Sequence, residues 1–120
     1  MNFRNVAKEA IKVSDLAENR EKISTEELIE KYPEKITISQ FERCEMGNKV
    51  KFIYTIKEEP EKFAYAGILL EKCFNKIIQA YGGDYVRAQK EFAMDKTGLP
   101  VKLEKKETLD GNEVTNVTIL

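Results

Sequence analysis

The residue types that most often carry out chemistry are scarce in this chain. Histidine is absent from all 120 residues, which removes the commonest general base, the usual nitrogen ligand of zinc and the partner that activates a nucleophile. The two cysteines, Cys44 and Cys73, cannot hold a structural zinc ion unless carboxylates complete the site. We therefore expect buried thiols in a reducing compartment, with neither a disulfide nor a metal site.

Two further patterns resemble parts of active sites but have ordinary explanations. Gly82 and Gly83 lack the Lys-Ser/Thr that follows a phosphate-binding glycine loop, and they end a helical pattern, where glycine is common. The carboxylates of Glu58, Glu59 and Glu61 flank a proline and fit a solvated turn better than acid–base catalysis. The sequence therefore predicts a protein that is not an enzyme and uses no cofactor.

Cations and aromatic residues on the predicted strands indicate binding instead of catalysis. Apolar residues alternate from Val50 to Ile56, so the side chains between them point to the other face of the sheet. The same parity in neighbouring strands places more cations and an aromatic ring on that outer face, a combination that stacks bases and follows a phosphate chain. The predicted nucleic-acid-binding residues are Phe41, Arg43, Lys51, Lys57, Tyr65, Lys102 and Lys106.

Two alternatives to this binding face remain open. A β-bulge at Gln40 would turn Phe41 inward under the helices and leave an ordinary solvated surface. In the second alternative, the chain is a protein-interaction module, such as a small inhibitor or assembly factor. A nearly neutral net charge and an exposed Ile53 both favour this alternative. With 20 basic and 21 acidic residues, any nucleic-acid site must be a local patch.

Length and composition restrict the class of protein. A chain of 120 residues, 42% hydrophobic and 34% charged, is one ordinary globular domain. The apolar runs are far shorter than the roughly 20 residues of a membrane-spanning helix. The amino terminus, from Met1 to Asn5, has no apolar signal core. We therefore expect a cytoplasmic protein that avoids membranes; homo-oligomerisation is left open.

Helical patterns dominate the amino-terminal segment, residues 1–33. Apolar residues recur at helical spacing near the start and predict a helix over about residues 5–16. The polar stretch that ends at Lys22 looks like a solvated connection. Ser24 and Glu27 then form a capping box, which predicts a short helix from Thr25 to Lys31.

The remaining part, residues 36–120, contains the predicted sheet. The hydrophobic period changes from 3.6 to 2 at Ile36. In order, the predicted elements are a hairpin that turns at 45–48, a short edge strand at 63–66, an amphipathic helix at 66–81, a second helix capped by Asp84, and a hairpin around Asp110-Gly111.

This order of strand, strand, short strand, helix, strand, strand resembles the oligonucleotide/oligosaccharide-binding (OB) fold, a five-stranded Greek-key barrel. The final segment, from Val101 through Asp110-Gly111 to Ile119, looks like the closing hairpin of small single-stranded-DNA-binding proteins of phages and mobile elements. The whole chain is similar to small prophage or conjugative-element proteins of Gram-positive bacteria, through the segments 25–33 and 63–67.

The resemblance implies a fold, a partner and a biological setting. The fold would be α+β, with an antiparallel sheet of four to five strands in OB-like order and amino-terminal helices packed on it. The partner would be single-stranded DNA, bound without catalysis by an accessory protein of a mobile element. A different α+β sheet with helices on one face is the alternative architecture.

Overall fold

The change of hydrophobic period at Ile36 marks the start of a strand of 11 residues. The computed structural model describes Ala17 and residues 20–120; the helix expected over residues 5–16 lies outside them. In chain order the elements are β1 (Glu21–Lys22), α1 (Thr25–Lys31), β2 (Ile36–Met46), β3 (Lys49–Ile56), β4 (Lys62–Tyr65), α2 (Ile68–Ala80), α3 (Tyr85–Met94), β5 (Leu99–Glu107) and β6 (Glu113–Ile119).

Capping side chains set the starts of two helices where the sequence predicts them. The Oγ atom of Ser24 accepts a hydrogen bond of 3.2 Å from the backbone N–H of Glu27, at the start of α1. Asp84 accepts a bond of 3.1 Å from the N–H of Arg87, at the start of α3. Each bond satisfies a backbone donor that has no partner within its own helix. Within residues 20–120, no helix combines the length and apolar composition needed to cross a membrane.

The strands of the described residues form one open, mixed sheet of six strands, in the order β1-β4-β3-β2-β5-β6. β1 runs parallel to β4, and every other neighbouring pair is antiparallel. Both predicted hairpins, β2–β3 and β5–β6, are therefore confirmed. The fold is α+β as expected, but the sheet does not close into a barrel within these residues.

The sheet has six strands instead of the expected four to five because of the extra strand β1. Its two residues, Glu21 and Lys22, belong to the stretch that was expected to be a solvated connection. The next residue, Ile23, is buried, and its N–H donates a 2.8 Å hydrogen bond to the carbonyl of Phe63. This anchor holds β1 against β4, so β4 lies inside the sheet and is not the edge strand that was predicted.

The helices α1, α2 and α3 pack on one face of the sheet, called here the inner face. Side chains from all of them share a core with inward residues of β2, β3 and β5. Phe74 of α2 is fully buried at its centre. The architecture is therefore the predicted alternative with helices on one face. The helical side chains in this core are Leu28, Leu70, Phe74, Ile78 and Ala88.

A β-bulge in β2 decides which of its side chains reach the inner face. The register between β2 and β3 shifts between Ile38 and Gln40. Ile38 and Phe41 therefore both face the helices, although they are three residues apart. Phe41 is only 2% exposed, so the alternative with a bulge at Gln40 is confirmed and the outward placement of Phe41 is wrong.

Candidate nucleic-acid interface

Arg43 follows Phe41 onto the inner side of β2, because the bulge changes the parity of the strand beyond it. Its guanidinium lies 5.1 Å from the centroid of the Tyr85 ring on α3, and Nη1 lies 3.0 Å from the carboxylate of Glu45. Its backbone N–H donates a 2.8 Å hydrogen bond to Oε1 of Gln89. Arg43 thus joins β2 to α3, and its predicted place on the outer face is wrong.

Lys57 is exposed just beyond β3, where it contacts the loop between α3 and β5. Its ammonium donates a hydrogen bond to the carbonyl of Lys96. In the same loop, hydrogen bonds from the hydroxyl and backbone N–H of Thr97 lower the pKa of the Asp95 carboxyl, and the charge of Lys57 lowers it further. The Lys57 ammonium is therefore engaged in holding this loop.

Lys102 and Lys106 lie on the outer face of β5, as predicted, because Val101 and Leu103 point into the core. Lys102 Nζ is 3.8 Å from a carboxylate oxygen of Glu104, which lowers the positive charge of this strand. The two lysines therefore form a partly neutralised row on β5.

The row on β5 is remote from Lys51 on β3. β5 pairs with β2 only at residues 36–38, whereas Lys51 lies opposite Cys44 near the other end of β2. At about 3.3 Å per residue, roughly 40 Å of strand length separates Lys51 from Lys106. The structure thus does not gather the predicted residues into one patch.

Tyr65 lies on the outer face between two ammonium groups. The ring centroid is 4.9 Å from Nζ of Lys22 and 6.0 Å from Nζ of Lys51. The ring of Phe63 meets that of Tyr65 nearly edge-on, with centroids 5.8 Å apart. The adjacency of β1, β4 and β3 produces this arrangement. We call Lys22, Tyr65 and Lys51 the tyrosine–lysine cluster.

The sequence reasoning missed Lys22, because the residues around it look like a solvated connection. Lys22 reaches the cluster through the parallel pairing of β1 with β4, where it lies beside Phe63. The only local signal for this strand is the apolar Ile23 directly after the polar stretch. One apolar residue carries no period, so pairing with a distant strand cannot be predicted from it.

A small second hydrophobic core lies on the outer face of the sheet. Cys44, Ile53 and Phe63 are buried there, and Ala17 and Tyr65 pack against them. The predicted exposure of Ile53 is therefore wrong, whereas the predicted burial of Cys44 is confirmed. The tyrosine–lysine cluster stands at the border of this apolar region. Cys73, the other cysteine, is partly buried on α2.

The arrangement offers contacts with a ligand. In that part of the chain, no three or more cysteine, aspartate or glutamate residues converge to hold a metal ion. The cluster supplies one aromatic face and two cations. Comparison of the chain with protein-family models, curated proteins and solved structures finds no match.

Proposed function

We propose that the protein binds single-stranded nucleic acid, preferentially single-stranded DNA, through the tyrosine–lysine cluster. The observation that carries the proposal is the position of the Tyr65 ring between Lys22 and Lys51, on a sheet face free of helices α1 to α3. An aromatic ring can stack any base, and cations beside it neutralise the phosphates on either side. Binding is therefore independent of sequence and requires no catalysis.

The order of the strands supports the same proposal. The observed order β4-β3-β2-β5-β6, with α2 and α3 inserted between β4 and β5, is compatible with an OB barrel left open. In a closed barrel, β6 would pair with the free edge of β4. In this interpretation, β1 occupies that edge instead. OB folds bind oligonucleotides on the face of their second and third strands. The corresponding strands are β3 and β4, which carry Lys51 and Tyr65.

The same proposal covers the setting and strength of binding. The resemblance of the closing hairpin to small phage proteins supports a role as an accessory protein of a mobile element, acting in the cytoplasm. The cluster is small, and the chain carries a net charge of −1. We therefore expect a dissociation constant of about 1–100 μM at physiological salt, in the range of nonspecific binding.

Fluorescence anisotropy with a labelled oligothymidylate, at low and at moderate salt, tests the proposal. Tyr65→Ala should weaken binding by about 1–3 kcal/mol because one stacking ring is lost. Tyr65→Phe retains the ring and should bind like the wild type. Lys51→Ala should weaken binding to all sequences and reduce the magnitude of the salt slope by about 0.7.

Two lysines outside the cluster complete the experiment. Lys76→Ala removes an exposed charge from α2 and serves as the control with equal change of net charge. Lys106→Ala tests whether a longer oligonucleotide also contacts β5. Equal weakening by Lys76→Ala and Lys51→Ala would mean that only net charge matters, and would remove the cluster from the site.

A protein-interaction module is the second candidate function. It is favoured by an open cleft of about 510 Å³ between the start of α2 and β6, which the apolar side chains of Ile68, Leu69 and Val114 help to line. If the wild type binds no single-stranded DNA even at low salt, the candidate becomes an inhibitor or assembly factor that acts on another protein.

A further inference from the structure

The two edges of the sheet are built differently. β1 has only two residues, and both are charged. β6 has seven residues, of which only Glu113, at its start, is charged. It contains no proline, and its pairing with β5 continues to Ile119 without a bulge. Proteins protect exposed edges with short strands, charges, prolines or bulges. β1 has such protection, whereas β6, within the described residues, has only the charge of Glu113 at its start.

On the side away from β5, where no other strand of the described residues pairs with it, β6 presents backbone groups in a defined pattern. Thr108 N–H donates to the carbonyl of Asn112 at 2.8 Å, and Leu120 N–H donates to that of Pro100 at 3.0 Å. Hydrogen-bonded positions alternate in an antiparallel pair, so even-numbered residues of β6 turn their backbone groups toward β5. The residues whose N–H and C=O point outward are Glu113, Thr115, Val117 and Ile119.

We propose that β6 pairs with β6 of a second copy of this chain, antiparallel, about a two-fold axis at Asn116. This register matches every outward-pointing residue with another: Thr115 lies opposite Val117 of the second copy, and Glu113 lies opposite Ile119. The two sheets then form one continuous sheet. The inference is independent of nucleic-acid binding, because β6 lies at the opposite edge of the sheet from β1 and β4.

Charges and side chains are compatible with this pairing. Glu113 meets no like charge across the interface and retains Lys105 at 4.0 Å on its own chain. Asn116 meets Asn116 of the second copy at a position without backbone hydrogen bonds, where paired side chains approach most closely. Two asparagine amides can hydrogen-bond to each other there.

Exposed apolar side chains border the same edge. Four of the eight large apolar residues exposed in the described part lie on β6, in the chain segments that flank it, or in the cleft beside it. A two-fold contact covers the same residues on both copies, so Ile119 of each copy lies at the interface. These four residues are Ile68, Leu109, Ile119 and Leu120.

Sedimentation equilibrium over about a hundredfold range of protein concentration measures the association, since a dimer is populated by mass action. The mass of the wild type should rise from 13.8 kDa toward twice that value. Asn116→Asp and Asn116→Lys each place like charges in contact across the axis, and each should raise the dissociation constant by at least about tenfold. An equimolar mixture of the two variants should recover association as a heterodimer, because the charges are then opposite.

Two further variants separate pairing from folding. Thr118→Asp adds a charge on the same face of β6 but opposite Val114 of the second copy, so it should dimerise better than Asn116→Asp. Thr115→Pro removes an outward N–H that does not take part in the pairing with β5, and it should remain monomeric with an unchanged circular dichroism spectrum.

The proposal is overturned if the wild type stays at 13.8 kDa at every concentration. In that case, the partner of β6 would be an extended segment of another protein. Asn116 variants that associate like the wild type, or a mixture that fails to form the heterodimer, would equally overturn the two-fold register.

Discussion

Replacing Phe41 by alanine should destabilise the fold strongly. The ring is 2% exposed. It stacks on Phe74 with centroids 4.5 Å and planes 4° apart, and meets Phe92 edge-on at 5.0 Å. Truncation of a buried phenylalanine costs about 3–5 kcal/mol, and each aromatic pair contributes about 0.5–1.5 kcal/mol beyond burial. We therefore expect a loss of about 4–5 kcal/mol in the free energy of unfolding.

Urea unfolding followed by circular dichroism measures this loss, as a lower midpoint at unchanged slope. Phe41→Leu retains most of the apolar volume and should cost only about 1–2 kcal/mol, so it is the variant for binding assays. Because Phe41 is buried, folded Phe41→Leu should bind single-stranded DNA like the wild type. Met94→Ala, at an exposed position of α3, is the control and should change stability by less than about 0.5 kcal/mol.

Two results would refute this reasoning. A loss below about 1 kcal/mol for Phe41→Ala would mean that the ring is not part of the core, since that is far below the usual cost at a buried site. Normal stability of Phe41→Leu combined with lost DNA binding would return Phe41 to the outer face and contradict the bulge in β2.

Three further predictions concern stability. Gly98 has a φ of +69°, and a Cβ atom there would lie 2.7 Å from the Ile38 carbonyl oxygen, so Gly98→Ala should cost more than about 2 kcal/mol in urea unfolding. Ser24→Ala removes the cap of α1 and should cost about 1 kcal/mol by the same measurement. Burial raises the pKa of the Tyr54 phenol above its usual value of 10.0. The folded protein then retains a proton that the unfolded chain loses. This contribution to the free energy of unfolding is therefore complete below pH 10 and declines as the pH rises above it. The free energy of unfolding of Tyr54→Phe, measured from pH 9 to about pH 11, should decline less steeply than that of the wild type.

Each of these predictions has a matched comparison. Gly111 also has a positive φ, but a Cβ atom there would meet no neighbouring atom. If Gly111→Ala lowered the free energy of unfolding as much as Gly98→Ala, the steric argument would be contradicted. Glu30→Ala changes an exposed residue of α1; if it costs as much as Ser24→Ala, the cap contributes nothing specific. An identical alkaline decline in Tyr54→Phe and the wild type would remove Tyr54 as its cause.

Elements whose signals are local could be predicted from the residues alone. Ser24 and Glu27 start α1 through a contact between residues three positions apart, and Asp84 starts α3 in the same way. Gly111, with a φ of +80°, allows the turn between β5 and β6. These interactions involve neighbours in the chain, so residue type and spacing are sufficient to predict them.

Only the tertiary structure decided which side chains share a surface. The shift of register between Ile38 and Gln40 reverses the facing of all later residues of β2, and so moves Phe41 and Arg43 to the inner face. Lys22 meets Tyr65 because β1 pairs with a strand far along the chain. Alternation predicts parity within one regular strand, but a bulge or a long-range pairing depends on contacts made only when the chain has folded.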